Sequence, residues 1–325
     1  MKAAMVHTLT GPQGIAIADI AEPKPRQGEV AIKVKAAALN FLDTLMCRGK
    51  YQFKPDLPFS PAGEIAGEVV GLGAGVVGFE IGDRVCAYIG WGGAREIVTA
   101  KAEALVRIPD DVSDVVAAGV NVTYGTAMNG LVQRGRISPG ETVAVLGASG
   151  GAGLAAIEVA KRLGARVVAV ASRADKLEIC RAHGADALVN YSEGDLKQGL
   201  RDATDGRGPD IIYDCVGGQY AEPALRAIAW HGRYLVVGFA AGEIPAFPLN
   251  LILLKCCDVA GVFWGEEATR QPSTHGANIA QVLAWIASGA LSPRIHTTMP
   301  LGETAEAIKM LDRREVAGKV IITLD

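Results

Sequence analysis

The residues with the clearest chemical potential lie in one stretch, VAVLGASGGAGLAAIEVAKRLGARVVAVASR, residues 143–173. An apolar run enters Gly147-Ala-Ser-Gly150-Gly151-Ala-Gly153, and an Ala-rich helical pattern opens at once. Set against the G-x-G-x-x-G fingerprint of dinucleotide sites, the stretch reads Ala148-x-Gly150-x-x-Gly153, with Gly147 just before it and Gly151 inside it. Glycine at 150 lets backbone approach a pyrophosphate, and glycine at 153 lets the helix pack closely on the strand. The helix N-terminus then aims free N–H groups and a positive dipole end at the phosphates. A glycine string alone is weak evidence, since an ordinary strand-to-helix turn also uses glycine. Here strand, glycine cluster, helix and the second strand Arg166–Ala171 follow at βαβ spacing, which is a strong dinucleotide signal.

The end of that second strand chooses between the two nicotinamide cofactors. An NAD site places Asp or Glu about 20 residues beyond the loop, on the ribose hydroxyls. This chain has Ser172 there, then Arg173 and, shortly after, Lys176. A hydroxyl flanked by two cations holds a 2′-phosphate by charge-assisted hydrogen bonds, where a carboxylate would repel it. Asp175 is the contrary sign, but it falls in the first turn of the next expected helix, where a carboxylate is favoured in any case. Plain solvated helix-start charge is the competing reading of Arg173 and Lys176. NADPH is the expected cofactor.

These residues need elements to hold them. From about residue 140, apolar runs alternate with helical stretches. The expected strands are Glu141–Leu146, Arg166–Ala171, Ala187–Asn190, Asp210–Cys215, Arg233–Val237 and Asp258–Val262. The expected helices are Gly151–Leu163, Ala174–His183, Asp195–Thr204, Gln219–Ala229 and a short one at Leu249–Leu254. Strands apolar on both faces and alternating with helices predict a doubly wound parallel sheet, an α/β Rossmann domain. The first 120 residues instead show short β-like runs (Val30–Val34, Ile65–Val70, Arg84–Tyr88, Glu96–Thr99) punctuated by prolines and by Gly82-Asp83, a mostly β domain. The tail from about 266, with helices near Asn278–Ser288 and Glu303–Arg313 and the strand Lys319–Thr323, is too short for a domain and is expected to return to the first.

Composition excludes other classes. The 325 residues are 50% hydrophobic and 21% charged, which excludes a disordered chain, and the length suits two domains. A net charge of −3 without a basic block argues against nucleic acid or an anionic membrane as partner. No leader-like apolar run opens the sequence, none is long enough to cross a membrane, and the six cysteines include no C-x-x-C pair, so a reduced, cytoplasmic protein is expected. The five histidines show no metal spacing.

Several ordered blocks resemble the quinone oxidoreductase (zeta-crystallin-like) branch of the medium-chain dehydrogenase/reductase superfamily. They are Asn40-Phe-Leu-Asp43 with Arg48-Gly49-x-Tyr51, Pro61-x-Gly63-Glu64-x-x-Gly67-x-Val69, Gly82-Asp83-Arg84-Val85, and Gly140-Glu141 leading into the glycine loop. Gly184-Ala185-Asp186 with Asn190-Tyr191, Tyr213-Asp214-x-Val216-Gly217 and Gly261-x-Phe263-Trp264-Gly265 complete the series. The match covers essentially the whole chain. Ala144 and Glu158 depart from the Leu and Gln usual in the family's loop signature. The resemblance implies a GroES-like mostly β domain (residues 1–122 with 264–325), a Rossmann NADPH-binding domain (123–263), and homodimers formed by edge-to-edge pairing of cofactor domains.

The zinc alcohol dehydrogenases of the same superfamily bind their catalytic metal through a Cys three residues before an Asp and a His in Gly-His-Glu. Here Asn40 and Gly63 stand at those positions, and the four-Cys structural lobe is absent. Neither side chain is a usual zinc ligand, so no zinc is expected. Without a Lewis acid an alkoxide is poorly stabilised, and the expected reaction is hydride delivery to a quinone or an α,β-unsaturated carbonyl.

By resemblance, Tyr51 sits where related enoyl-thioester reductases place their proton donor, and Asn40 lies near the nicotinamide. A half-buried packing role is the alternative for Tyr51. Asp43 is expected to pair inside its domain, and Arg48 to pair with a carboxylate rather than attract an anionic substrate tail. The cofactor contacts implied are Ser149, Gly150, Gly151, Ala152, Gly153, Ser172, Arg173, Lys176 and Tyr191, with Val216, Gly238, Phe239 and Phe263 toward the nicotinamide. Thr126 and Tyr124 are further candidates, and Trp264 is read either as closing the acceptor pocket or as core. Two other functions share these motifs: reduction of an enoyl thioester, and a crystallin-like or RNA-binding NADPH protein without turnover. The absent basic stripe argues against RNA.

Overall fold

The computed structural model describes residues 1–324, and the chain divides into two compact units, Met1–Val122 with Glu267–Asp325, and Thr123–Glu266. In chain order the strands are β1 (Lys2–Val6), β2 (Ile15–Asp19), β3 (Glu29–Leu39), β4 (Glu64–Leu72), β5 (Arg84–Tyr88), β6 (Ile97–Lys101) and β7 (Leu105–Arg107). Then follow β8 (Thr142–Leu146), β9 (Arg166–Ala171), β10 (Ala187–Asn190), β11 (Ile211–Asp214), β12 (Arg233–Val236) and β13 (Asp258–Gly261), and lastly β14 (Ile295–Pro300) and β15 (Lys319–Thr323).

The first unit is built on a seven-stranded sheet in the order β14-β15-β3-β4-β5-β7, with β6 also pairing β3, and on the hairpin-like pair β1-β2. The returning strand β15 runs antiparallel to β3, pairing Ile321 with Ala38, so the end of the chain completes the sheet begun near its start. Ala4, Val30, Ile32, Val34, Leu39, Ile65, Val69, Val85, Ile308 and Ile322 share one buried core there. The β3–β4 ladder carries a register shift between Val34 and Ala36. At that irregularity a Cβ on Gly67 would stand 2.1 Å from the Lys33 carbonyl oxygen, so no larger residue fits the Gly63–Val69 block there.

The second unit is a six-stranded, all-parallel sheet in the order β10-β9-β8-β11-β12-β13. This is the doubly wound Rossmann order, and its direction reverses between β8 and β11, where such sheets bind ligands beyond the strand carboxyl ends. β8 and β11 are buried at every position, as their continuous apolar sequences require. Helices Gly151–Arg162, Ala174–Ala182, Leu196–Asp202, Ala221–Ala227 and Leu249–Lys255 connect the strands.

Helix Asn121–Met128 passes into a π-helical segment, Asn129–Arg134, that was not read from the sequence. Gly125 and Gly130 let large rings approach it: a Cβ on Gly125 would stand 2.6 Å from Trp264 Nε1, and one on Gly130 2.9 Å from the Tyr213 ring. Trp264 is buried. In the tail, the expected helix near 278 starts earlier, as Pro272–Ala287, with Pro at the first helical position where its missing N–H costs nothing. No helix among the described residues is long and apolar enough to cross a membrane.

Candidate active site

The parallel sheet positions most of the candidate cofactor residues by topology alone. Ser149–Gly153 follow β8, Ser172 and Arg173 follow β9, and Tyr191 follows β10. Val216 follows β11, Gly238 and Phe239 follow β12, and Phe263 follows β13, so all stand at strand carboxyl ends. Thr126 differs, being buried within helix Asn121–Met128.

The glycine loop separates two kinds of requirement. Gly147 has φ +72°, and a Cβ on Gly153 would lie 2.4 Å from the Gly147 carbonyl oxygen and 2.6 Å from that of Ala148, so both are demanded by the fold itself. Gly150 is different. Its φ is −73°, and a Cβ there would meet nothing closer than the Gly147 carbonyl oxygen at 3.4 Å, an ordinary contact. No internal packing demands glycine at 150, which fits a ligand that must touch backbone there. Gly150 is the N-cap of helix Gly151–Arg162, and no side chain caps that helix. Gly151, Ala152 and Gly153 form the first turn at that terminus, where a helix leaves its N–H groups without intrahelical partners.

On the next strand of the sheet, Asp214 shapes the turn after β11. Its Oδ1 accepts the N–H groups of Val216 at 2.7 Å and Gly217 at 3.0 Å, and its Oδ2 accepts the Tyr234 hydroxyl at 2.5 Å. Burial raises the Asp214 pKa against these hydrogen bonds. The backbone of Ala240 and Ala241 donates to Cys215 and Val216, tying the loop after β12, with Gly238 and Phe239, to this turn. Asp214 lies inside the Tyr213–Gly217 block, whose residue types alone do not mark it out. Its strand-end position before two glycines was the available signal.

Just after β10, the Tyr191 ring lies 4.3 Å from that of Tyr220 at a 43° tilt. Arg173, the N-cap of helix Ala174–Ala182, is exposed and grips Asp175 with both Nε (2.9 Å) and Nη2 (2.7 Å). Each group of the pair shifts the other: the guanidinium lowers the Asp175 pKa and the carboxylate raises that of Arg173. The Tyr124 hydroxyl donates to Glu158 Oε2 at 2.5 Å, and Glu158 Oε1 meets the half-buried His183 Nδ1 at 2.7 Å, so the unusual Glu at 158 links two polar partners.

The first unit gathers Asn40, Asp43, Glu64 and Lys319. Asn40 donates its amide to Glu64 Oε1 at 2.9 Å and accepts from Lys319 Nζ at 2.6 Å. Lys319 Nζ also reaches Glu64 Oε1 at 2.5 Å, and Glu64 Oε2 accepts the Val122 N–H at 2.7 Å. Asp43 accepts the backbone N–H groups of Asn40 and Ala62, both at 2.8 Å, while burial drives its pKa up to about 6. Gly63 packs close to backbone, since a Cβ there would lie 2.5 Å from the Gly90 carbonyl oxygen. Among the described residues no group of three or more His, Cys, Asp or Glu is arranged to hold a metal.

Tyr51 is half-buried, edge-on to Phe53 at 5.9 Å, and its pKa is raised by burial and then by Asp43. Tyr88, at the end of β5, has its pKa pushed up by burial and by the charges of Tyr51, Asp43 and Glu64, so it belongs to the same neighbourhood. A single Tyr closing a strand offered no pattern by which to find it. Arg48 forms a two-point pair with Asp312 at 3.0 and 2.5 Å, the carboxylate pairing expected of it.

Comparison with known proteins bears on both units. The alcohol dehydrogenase GroES-like domain family matches residues 26–110, and the zinc-binding dehydrogenase family matches residues 151–285. The chain is 39% identical over 298 residues to quinone oxidoreductase-like protein 2 homolog of Nematostella vectensis, covering 90% of this chain and 81% of that protein. It is 36% identical over 313 residues to quinone oxidoreductase-like protein 2 of Rattus norvegicus, covering 96% and 89%. Among solved structures, Escherichia coli quinone oxidoreductase complexed with NADPH superposes with a TM-score of 0.92 at 26% identity, covering all of both chains.

Proposed function

Because this chain belongs to the quinone oxidoreductase-like branch of the medium-chain dehydrogenase/reductase superfamily, we propose that it is an NADPH-dependent reductase of quinones or α,β-unsaturated carbonyls that works without zinc. The observation that carries the reading is Gly150, a glycine the fold does not need, at the uncapped N-terminus of the helix after β8. The E. coli relative solved with NADPH supports the same cofactor.

NADPH, when bound, supplies the hydride. Ser149, Gly150, Gly151, Ala152 and Gly153 hold its pyrophosphate, and Ser172, Arg173 and Lys176 its 2′-phosphate, with Tyr191 beside the adenosine. Val216, Gly238, Phe239 and Phe263 line its nicotinamide end, Thr126 adds a further contact, and Asp214 fixes the Val216–Gly217 turn among them. Tyr51 is the group that protonates the enolate carbon or donates a hydrogen bond to the developing enolate or hydroquinone oxygen; burial moves its pKa up from the usual phenol value, which suits a donor. Asn40, held by Glu64 and Lys319, is a positioning residue beside this chemistry.

The zinc-free reading rests on donor chemistry. Asn and Gly replace thiolate and imidazole, and a buried ammonium is paired with the neighbouring carboxylate, which disfavours a second cation there. A homodimer paired through β13 is part of the same proposal: β13 is the edge of its sheet, Val259 on it is exposed, and Leu249, Leu253 and Leu254 before it are exposed as well.

The test is NADPH oxidation followed at 340 nm against 9,10-phenanthrenequinone, 1,4-benzoquinone, a 2-alkenal and crotonyl-CoA, before and after dialysis against a zinc chelator. Turnover of quinone or alkenal, unchanged by the chelator, is the expected result. Activity with the thioester alone moves the assignment to enoyl-thioester reduction, and loss on chelation removes the zinc-free reading.

A further inference from the structure

Arg173 and Asp175 stand two residues apart at the start of helix Ala174–Ala182, and their side chains form a two-point ion pair that faces solvent. The geometry is set by the backbone: Arg173 is extended at φ −142° as the N-cap, which folds its side chain over the first turn where Asp175 stands. The guanidinium presents planar two-point donor edges, and Asp175 fills the Nε–Nη2 edge with both carboxylate oxygens. A phosphate monoester is recognised by such an edge in the same two-point manner. One guanidinium edge cannot serve both partners.

We propose that Asp175 competes with the cofactor's 2′-phosphate for Arg173, and so tempers the preference of this site for NADPH over NADH. The inference rests on the assignment of Ser172, Arg173 and Lys176 to the 2′-phosphate. In the free protein Arg173 is engaged by Asp175; on arrival of the phosphate dianion the guanidinium exchanges a single-charge partner for a more highly charged one. The exchange retains a net gain, because an exposed carboxylate pair is worth little in water, yet the gain is smaller than an unengaged arginine would supply. Asp175 is therefore a specificity-determining residue that acts through Arg173.

Calorimetric titration of the full chain with adenosine 2′,5′-bisphosphate and with 5′-AMP isolates the 2′-phosphate contribution. Asp175→Asn keeps the size of the side chain and removes its charge. The expected result is a roughly two- to fivefold tightening for the bisphosphate at low ionic strength, fading with added salt, with 5′-AMP unchanged. In Arg173→Gln/Asp175→Asn the gain disappears relative to Arg173→Gln. A gain that persists in the Arg173→Gln background overturns competition in favour of simple repulsion. If the unmutated protein prefers the bisphosphate and Asp175→Asn changes nothing, the proposal is overturned while the NADPH assignment stands. If the unmutated protein shows no preference but Asp175→Asn does, the competition holds and the NADPH assignment fails; no preference in either overturns both.

Discussion

The ammonium of Lys319 donates to the side-chain oxygen of Asn40 at 2.6 Å, across 279 residues of sequence, and both are buried against Glu64. This contact joins the last strand of the chain to the N-cap of helix Phe41–Met46, and it satisfies at once a buried cation, a carboxylate and an amide. Lys319→Met leaves Glu64 as an uncompensated buried charge, and the cost expected is about 3–5 kcal/mol. Adding Glu64→Gln should recover a large part of that loss. Chemical denaturation of both variants checks it; additive losses in the double variant contradict the pairing.

Two glycines three residues apart should behave in opposite ways. Gly153→Ala drives a methyl into the carbonyls of Gly147 and Ala148, so stability should fall by about 2 kcal/mol or more. Gly150→Ala meets only an ordinary contact and should leave the melting temperature nearly unchanged, yet weaken NADPH binding about tenfold or more. Thermal melts beside NADPH titrations separate the two. A destabilised Gly150→Ala that still binds would contradict the assignment of that backbone to the pyrophosphate.

Tyr51→Phe removes the hydroxyl while keeping the ring that packs against Phe53. The expected outcome is a fall in kcat of about 10²-fold with enone acceptors and an unchanged NADPH dissociation constant. Equal kcat in both proteins would assign Tyr51 to packing alone.

Two buried groups of the first unit give opposite pH dependences. His275, whose Nε2 meets Asn121 Oδ1 at 3.2 Å, has its pKa lowered by burial from 6.5 to about 4. Its neutral form is favoured on folding, so that stability is present above pH 6.5 and is lost as pH falls through about 4. Asp43, raised from 3.8 to about 6, acts the other way: its stabilisation is present below 3.8 and is lost as pH rises through about 6. His275→Gln should therefore gain about 2 kcal/mol relative to the unmutated protein between pH 7.5 and pH 5. Urea denaturation at the two pH values checks this, and a difference independent of pH contradicts it.

The parts that could be read from sequence are those whose partners are local or whose burial is total. β8, β9 and β11 are apolar on both faces, and the loop after β8 is punctuated by glycine, so the sheet and its glycine loop are both legible. β2 and β14 went unread because each is short and half-exposed, with no run of buried positions. Asn40 is legible as a residue standing where related enzymes have a metal ligand, but nothing in the sequence joins Lys319 to it, since no periodicity spans so long a separation. The charges of Arg173 and Asp175 were visible as neighbours. Their two-point contact follows from the extended backbone at the helix N-cap, which residue types alone do not specify.

The most direct measurement is kcat/KM for NADPH and for NADH with 9,10-phenanthrenequinone as acceptor and no metal added. The glycine loop, Ser172, Arg173 and Lys176 predict turnover with NADPH favoured by about tenfold or more. Equal rates with the two cofactors, or no oxidation of either, would contradict it.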